Sequence, residues 1–264
     1  MSARRILLLA RALLLMPVLA ISLATTMVQA GETFQIVAES DWFPYSAERD
    51  GRADGMAVDL VRAAYGAAGH QVSFVSQPYA RCLEEVEKGL QLGCFDTTRE
   101  PENEARFLFH QVPLFSATIV IIAPIDSTAA DLTASDLQGE RVAVTNGYTY
   151  GEPFQSDASV DKDVVTTDLA LLRVVALKRA AYGVIYDRVM ASLIAENAGE
   201  LSGKVKVVGV LNEQELYVSF SKERQEAVKA MAELDRGLAL IKANGTYAAI
   251  EQKWVARFSV AGSL

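Results

Sequence analysis

The chain has only two cysteines and two histidines. A structural zinc centre usually takes four sulfur or nitrogen ligands, so neither a metal nor another cofactor is expected. Lysine and arginine are outnumbered by the acids, 25 to 33, giving a net charge of −8. Nucleic acid is thereby excluded as the main partner, because phosphate neutralisation needs a basic face. Also missing are a Gly-x-Ser-x-Gly elbow, a His-Glu-x-x-His pair and a phosphate loop. Gly147 to Gly151 reads Gly-x-Thr-x-Gly, an elbow only superficially. His70 and His110 have no evident nucleophile beside them and read as structural. With 51% hydrophobic and 22% charged residues, 17 glycines and 7 prolines, the chain is not disordered, collagen-like or coiled-coil. Its 264 residues suit one large domain or two modest ones.

The first thirty residues carry Arg4, Arg5 and Arg11 and no acid, then an apolar middle, then Val28-Gln29-Ala30. This reads as a secretory signal peptide cut after Ala30. A membrane anchor is the alternative, but Arg11 and Pro17 interrupt the apolar run. Removing thirty residues with three arginines leaves 234 residues and a net charge of −11. The expectation is a soluble, exported, periplasmic and monomeric protein. Export puts Cys82 and Cys94 in an oxidising compartment. Cys82 falls early in a helix and Cys94 in the strand that returns beside it, so a disulfide is expected. Two buried free thiols are the alternative.

Beyond residue 30, short apolar strands alternate with helical spacing. Phe34–Ala38 reads as a strand, 39–55 as turns, and Met56, Leu60, Val61, Ala64 and Ala68 as a helix stopped by Gly69. Strands follow around Val72–Val75 and Leu92–Phe95, with a short helix between them after Pro78. The long run 114–123 leads to a second set: Val142–Val144, a helix starting near Thr149, Val164-Val165, a helix over 170–177, Tyr182–Tyr186 and a helix over 187–197. Val205–Val210 and Leu216–Phe220 read as two strands, and the end is helical. This alternation predicts α/β units with a mainly parallel sheet. No Gly/Ser tether separates the two sets, so two lobes with a stiff hinge are expected, with hinge segments near 113–118 and 210–216.

Within that layout, Asp50-Gly51 and Gly55-Met56-Ala57-Val58-Asp59-Leu60 look like a "dG…GfdvDL" first helix. Asp136-Leu137-Gln138-Gly139-Glu140-Arg141-Val142-Ala143-Val144 matches "DLkGk.VgV", and Asn244-Gly245-Thr246-Tyr247 with Ile250 and Lys253-Trp254 matches "dG.y..I..KW". With Tyr79–Gly89, Phe109–Phe115 and Tyr182–Asp187, these segments resemble the family 3 extracellular solute-binding proteins, the periplasmic receptors that feed polar amino acids and similar solutes to ABC importers. The likeness covers nearly all of residues 33–256. It implies a two-lobe periplasmic binding protein fold of type II, with lobe 1 over 31–113 plus 213–264 and lobe 2 over 114–212. It also implies a small polar ligand between the lobes and a membrane permease as partner.

The resemblance places Trp42 and Tyr79 as cleft aromatics, whose rings exclude water and attract cations. It places Asn146-Gly147-Tyr148-Thr149 at a carboxylate-binding turn and Asp187 at the ammonium. Asp96, Thr97, Thr98 and Arg99 form a dense polar set after a strand end. Trp42 could equally be core, Thr149 a plain N-cap, and Asp187 a favoured helix-start acid. The arginine with which the family grips a carboxylate is replaced here by Asn103. Arg81 and Arg99 are the candidate substitutes, Arg99 the better one, although Arg81 could simply pair with Glu84 or Glu85 and Asp96 with Arg99. Two rival readings remain: an enzyme on the same fold resembling the cyclohexadienyl dehydratases, and a receptor that passes its liganded state to a membrane signalling partner.

Overall fold

The computed structural model describes residues 31–259, so the expected signal segment and its cut after Ala30 lie outside the described residues. The first strand, β1 (Thr33–Glu39), buries Phe34, Ile36, Val37 and Ala38, and also Glu39 at its end. The turn-rich stretch that follows is more ordered than its sequence indicates. It contains three short antiparallel strands, β2 (Asp41–Trp42), β3 (Ser46–Arg49) and β4 (Arg52–Asp54). Gly55, at φ 143°, then turns the chain into α1 (Met56–Ala67); a Cβ there would sit 2.1 Å from the Tyr45 carbonyl oxygen, so only glycine fits. The helix buries Met56, Leu60, Val61 and Ala64 as their spacing predicts.

The chain continues through β5 (Gln71–Gln77), α2 (Tyr79–Glu87), β6 (Gly93–Thr98), α3 (Pro101–Arg106) and β7 (Phe107–Phe109) into the long strand β8 (Phe115–Pro124). The second set comprises β9 (Arg141–Thr145), β10 (Asp161–Val165), α4 (Asp168–Ala176), β11 (Tyr182–Tyr186), α5 (Asp187–Glu196) and α6 (Ala198–Leu201). The return strand β12 (Val205–Ser221) leads to α7 (Ala227–Ala243) and α8 (Thr246–Ser259). The Trp254 indole N–H donates to Asp59 at 2.9 Å and ties α8 onto α1. Among the described residues no helix is long and apolar enough to cross a membrane.

The sheet order is β10-β9-β11-β8-β12-β6-β1-β5, with β7 also on β12. Pairing is parallel within β5-β1-β6 and within β10-β9-β11, and antiparallel wherever β8 or β12 takes part. The molecule is therefore a two-lobe α/β fold: two parallel sets of strands, flanked by helices, are joined into one continuous sheet through two long strands. Those strands pair from Phe115 opposite Leu216 to Pro124 opposite Val205. Two sequence expectations are corrected here. Val205–Val210 and Leu216–Phe220 are one strand, because Asn212, Glu213 and Gln214 continue the ladder opposite Ile119, Thr118 and Ala117. Backbone pairing does not require apolar side chains. Nor does a helix begin near Thr149: residues 146–159 make irregular turns, with Gly147 and Gly151 at φ 81° and 75° and Pro153 supplying no N–H.

Cys82 of α2 and Cys94 of β6 form a disulfide, with Cα atoms 6.0 Å apart, inside a small apolar cluster that includes Val37, Leu83, Val86 and Tyr79. Closing a loop of this length restricts the unfolded chain by about 3 kcal/mol. Replacing both cysteines with alanine is expected to lower stability to chemical denaturation by about that amount. Thiol alkylation of the wild type in denaturant should label neither cysteine until reductant is added.

Candidate functional site

The parallel strands of both lobes end at one crevice, where open α/β sheets collect their ligands. From one side come Glu39 at the end of β1, Trp42 of β2, Tyr79 at the start of α2, and Asp96 and Thr98 at the end of β6. From the other come Tyr148 and Thr149 of the turn after β9, and Tyr186 at the end of β11. These side chains enclose a narrow cavity with about 10 Å³ of free space, room for about one water. A second cavity of about 210 Å³ lies on the far side of Tyr148 and Thr149 and is lined also by Asn103, Asn146, Gly147 and Arg106. A larger groove, about 690 Å³, is lined by residues of β3, β4 and β5 with Arg62 and lacks such a convergence of strand ends.

The two sides touch. The Tyr148 hydroxyl reaches across to Glu39 Oε1 at 2.8 Å and stands 3.3 Å from Asp168 Oδ2. Thr98 and Thr149 share a hydroxyl–hydroxyl hydrogen bond. Tyr79 meets Tyr148 edge-on at 5.5 Å between ring centres, and Trp42 meets Tyr186 edge-on at 4.8 Å. Behind Trp42, Tyr45 stacks on Phe115 of β8 at 4.8 Å. At the rim Arg49 pairs with Glu196 of α5.

Three carboxyl groups are buried around this crevice. Glu39 is 2% exposed; burial first, then the charge of Asp41, hold its pKa well above the usual carboxylate range, against the Tyr148 hydrogen bond. Asp96 is 5% exposed, both its oxygens lack a hydrogen-bond partner, and burial raises its pKa strongly. Asp168, in the first turn of α4, accepts from Thr145 Oγ1 at 2.6 Å, yet burial still lifts its pKa to about 6. No buried cation opposes these groups among the described residues.

Of the positions singled out from sequence, Trp42, Tyr79, Asp96, Thr98, Tyr148 and Thr149 come together at the cavity. Asn146, Gly147 and Asn103 line its neighbour, and the Asn103 amide is spent on the Thr98 carbonyl at 3.0 Å. Thr97 turns away to Ser219, at 2.9 Å. Arg81 is exposed and bonds Glu85 at 2.8 Å; Arg99 is exposed and bonds Glu104 at 2.6 Å. Asp187 accepts from the Arg188 backbone N–H at 2.6 Å and sits in the first turn of α5, outside the cavity lining. Glu39, Tyr186 and Asp168 were not singled out. Each stands at a strand end or just past one, and that position is the signal that could have found them.

Residues 34–257 match the sequence profile of the bacterial extracellular solute-binding proteins, family 3. No curated protein matches the chain. Among solved structures, the chain is similar to a histidine kinase sensor domain with similarity to periplasmic binding proteins, at 23% identity and TM-score 0.74, covering 85% of this chain and 96% of that one. It is also similar to an ancestral arginine-binding protein bound to arginine, at 20% identity and TM-score 0.71 over 84% of this chain and 97% of that one. A third is the arginine-, lysine-, histidine-binding protein ArtJ from Geobacillus stearothermophilus, at 19% identity and TM-score 0.70 over 84% and 94%. At these identities the likeness carries the fold.

The buried acids make stability depend on pH in a definite direction. A carboxyl whose pKa is raised in the folded state contributes stability that is complete below about pH 4 and lost as pH rises through the folded value. For Asp168 that window closes near pH 6. Asp168→Asn is therefore expected to gain stability relative to wild type as pH rises from 4 to 7.5, by up to about 3 kcal/mol. Denaturation at several pH values checks this, and a difference independent of pH would contradict it.

Proposed function

Since the chain belongs to the bacterial extracellular solute-binding proteins of family 3, we propose that it captures a small polar solute, an amino acid or a related compound, in the crevice between its lobes and delivers it to an ABC importer. The convergence of both lobes' strand ends on one crevice, with rings and carboxyl groups from each side, carries this reading. In this proposal lobe 1 is 31–113 plus 213–264, lobe 2 is 114–212, and β8 and β12 are the hinge. The segment 1–30 is the export signal cut after Ala30, and the mature protein works in the periplasm. Trp42, Tyr79, Asp96, Thr98, Tyr148 and Thr149 touch the ligand.

Binding follows from the contacts that already bridge the crevice. To admit a solute, Tyr148 must leave Glu39 and the Thr98–Thr149 bond must open. A ligand touching both sides then replaces these bridges and holds the lobes together. The protein acts by binding and release in this reading, without turnover. The similarity to a histidine kinase sensor domain supports a second one, in which the same closure is read by a membrane signalling partner. Both readings need the same binding step, and only the listener differs.

A thermal-shift screen of amino acids, amines, organic acids and small peptides is expected to yield a stabilising compound. At a hundred times its dissociation constant, a binder adds about 2.7 kcal/mol. Small-angle scattering with that compound should show a smaller radius of gyration than without it. An unchanged radius at saturation would count against lobe closure, and recovery of a chemically altered compound would favour an enzyme.

A further inference from the structure

Resting on the reading of this crevice as the ligand site, we infer that its ligand is a small organic cation that donates N–H hydrogen bonds to Asp96 and carries no carboxylate. The charge inventory of the crevice leads there. Asp96 lines the cavity, is 5% exposed, and has two oxygens with no partner. A buried acceptor without a donor costs the full desolvation of that group, and a donor entering the cavity would remove the cost. Glu39 and Asp168 share one further donor: the phenol proton of Tyr148 stands between the two carboxyl groups at 2.8 and 3.3 Å, while Asp168 also accepts from Thr145. A hydroxyl has a single proton to donate, so one of the two lacks a donor from it. An ammonium has three N–H groups and a guanidinium five. The walls suit such a group, since Trp42, Tyr79, Tyr148 and Tyr186 line the cavity and aromatic rings attract cations.

No lysine or arginine lines the crevice. Arg81 and Arg99 are exposed and paired with Glu85 and Glu104. Arg106 lines the neighbouring cavity, but its Nε and Nη2 are both held by Glu87, at 3.1 and 2.7 Å. Arg188 lines a separate surface groove beside Met56 and Ser116. The turn at 146–149 opens no helix, so no helix dipole adds to whatever its backbone could offer a carboxylate. A ligand carboxylate would lie against Glu39, Asp96 and Asp168 with no positive group to offset them. A metal ion is a poor match, because among the described residues no three His, Cys, Asp or Glu side chains are grouped to hold one.

The test is calorimetric titration of the purified protein with amines and the amino acids from which they differ by one carboxylate: agmatine and arginine, histamine and histidine, cadaverine and lysine, tyramine and tyrosine. At least one amine is expected to bind at least about tenfold more tightly than its partner amino acid, about 1.4 kcal/mol. Asp96→Asn should weaken that amine at least about tenfold, while leaving the free protein at least as stable as wild type at pH 7.5. An amino acid that binds as tightly as its amine overturns the inference and leaves the solute-binding reading standing. So does an amine whose affinity ignores Asp96→Asn in a variant that melts as a folded protein. If Asp96→Asn does not fold, the paired titrations on the wild type decide alone. Silence toward all eight compounds overturns the inference, whereas silence toward the whole solute screen overturns the binding reading as well.

Discussion

The antiparallel ladder between β8 and β12 is the constraint on which the rest of the molecule depends. Each parallel set is incomplete by itself and finds its last partners in these two strands, so the lobes share backbone hydrogen bonds. The shared ladder fixes which strand ends face each other. It directs the ends of β1 and β6 toward the turn after β9 and the end of β11. A flexible tether between lobes would leave that pairing to chance. The register shifts at Val207/Gly209 and Val210/Asn212 mark where the pairing of this ladder is irregular.

Against that mechanical frame, the electrostatics of the crevice are unfavourable. Carboxyl groups resist leaving water unless they are paired or neutralised. Here three are buried near one another, each with its ionisation suppressed by burial. The fold tolerates this because Tyr148 supplies a shared proton and the surrounding rings close the space. The two sides of the crevice are therefore joined by hydroxyl bridges and ring contacts.

Much of the fold was legible because its signals are local. The run Tyr182–Tyr186 followed by Asp187 marks a buried strand and the acid that opens a helix, and both form there. The apolar spacing of α1 and the glycine that ends it are equally direct. What was missed depends on partners distant in sequence. Asn212 to Gln214 look like a loop until Ala117 to Ile119 lie alongside. The glycines at 147 and 151 weigh more than the helix-favouring pattern around Thr149. Glu39 looks like the first residue of a turn, and the donor that meets its carboxyl is Tyr148, more than a hundred positions away. The aromatic members of the site were easier to place than its acids, since an acid at a strand end has the same letters whether it faces water or a cavity.

The bridge between Cys82 and Cys94 also bears on how the crevice is built. It ties the helix that begins with Tyr79 to the strand that carries Asp96 and Thr98. One covalent link thus spans two walls of the crevice, and its formation depends on the redox state of the surroundings. With the thiols apart, helix and strand would be held against each other by the packing of Val37, Tyr79, Leu83 and Val86 and their apolar neighbours. The order of these two walls is thus set by oxidation as well as by burial.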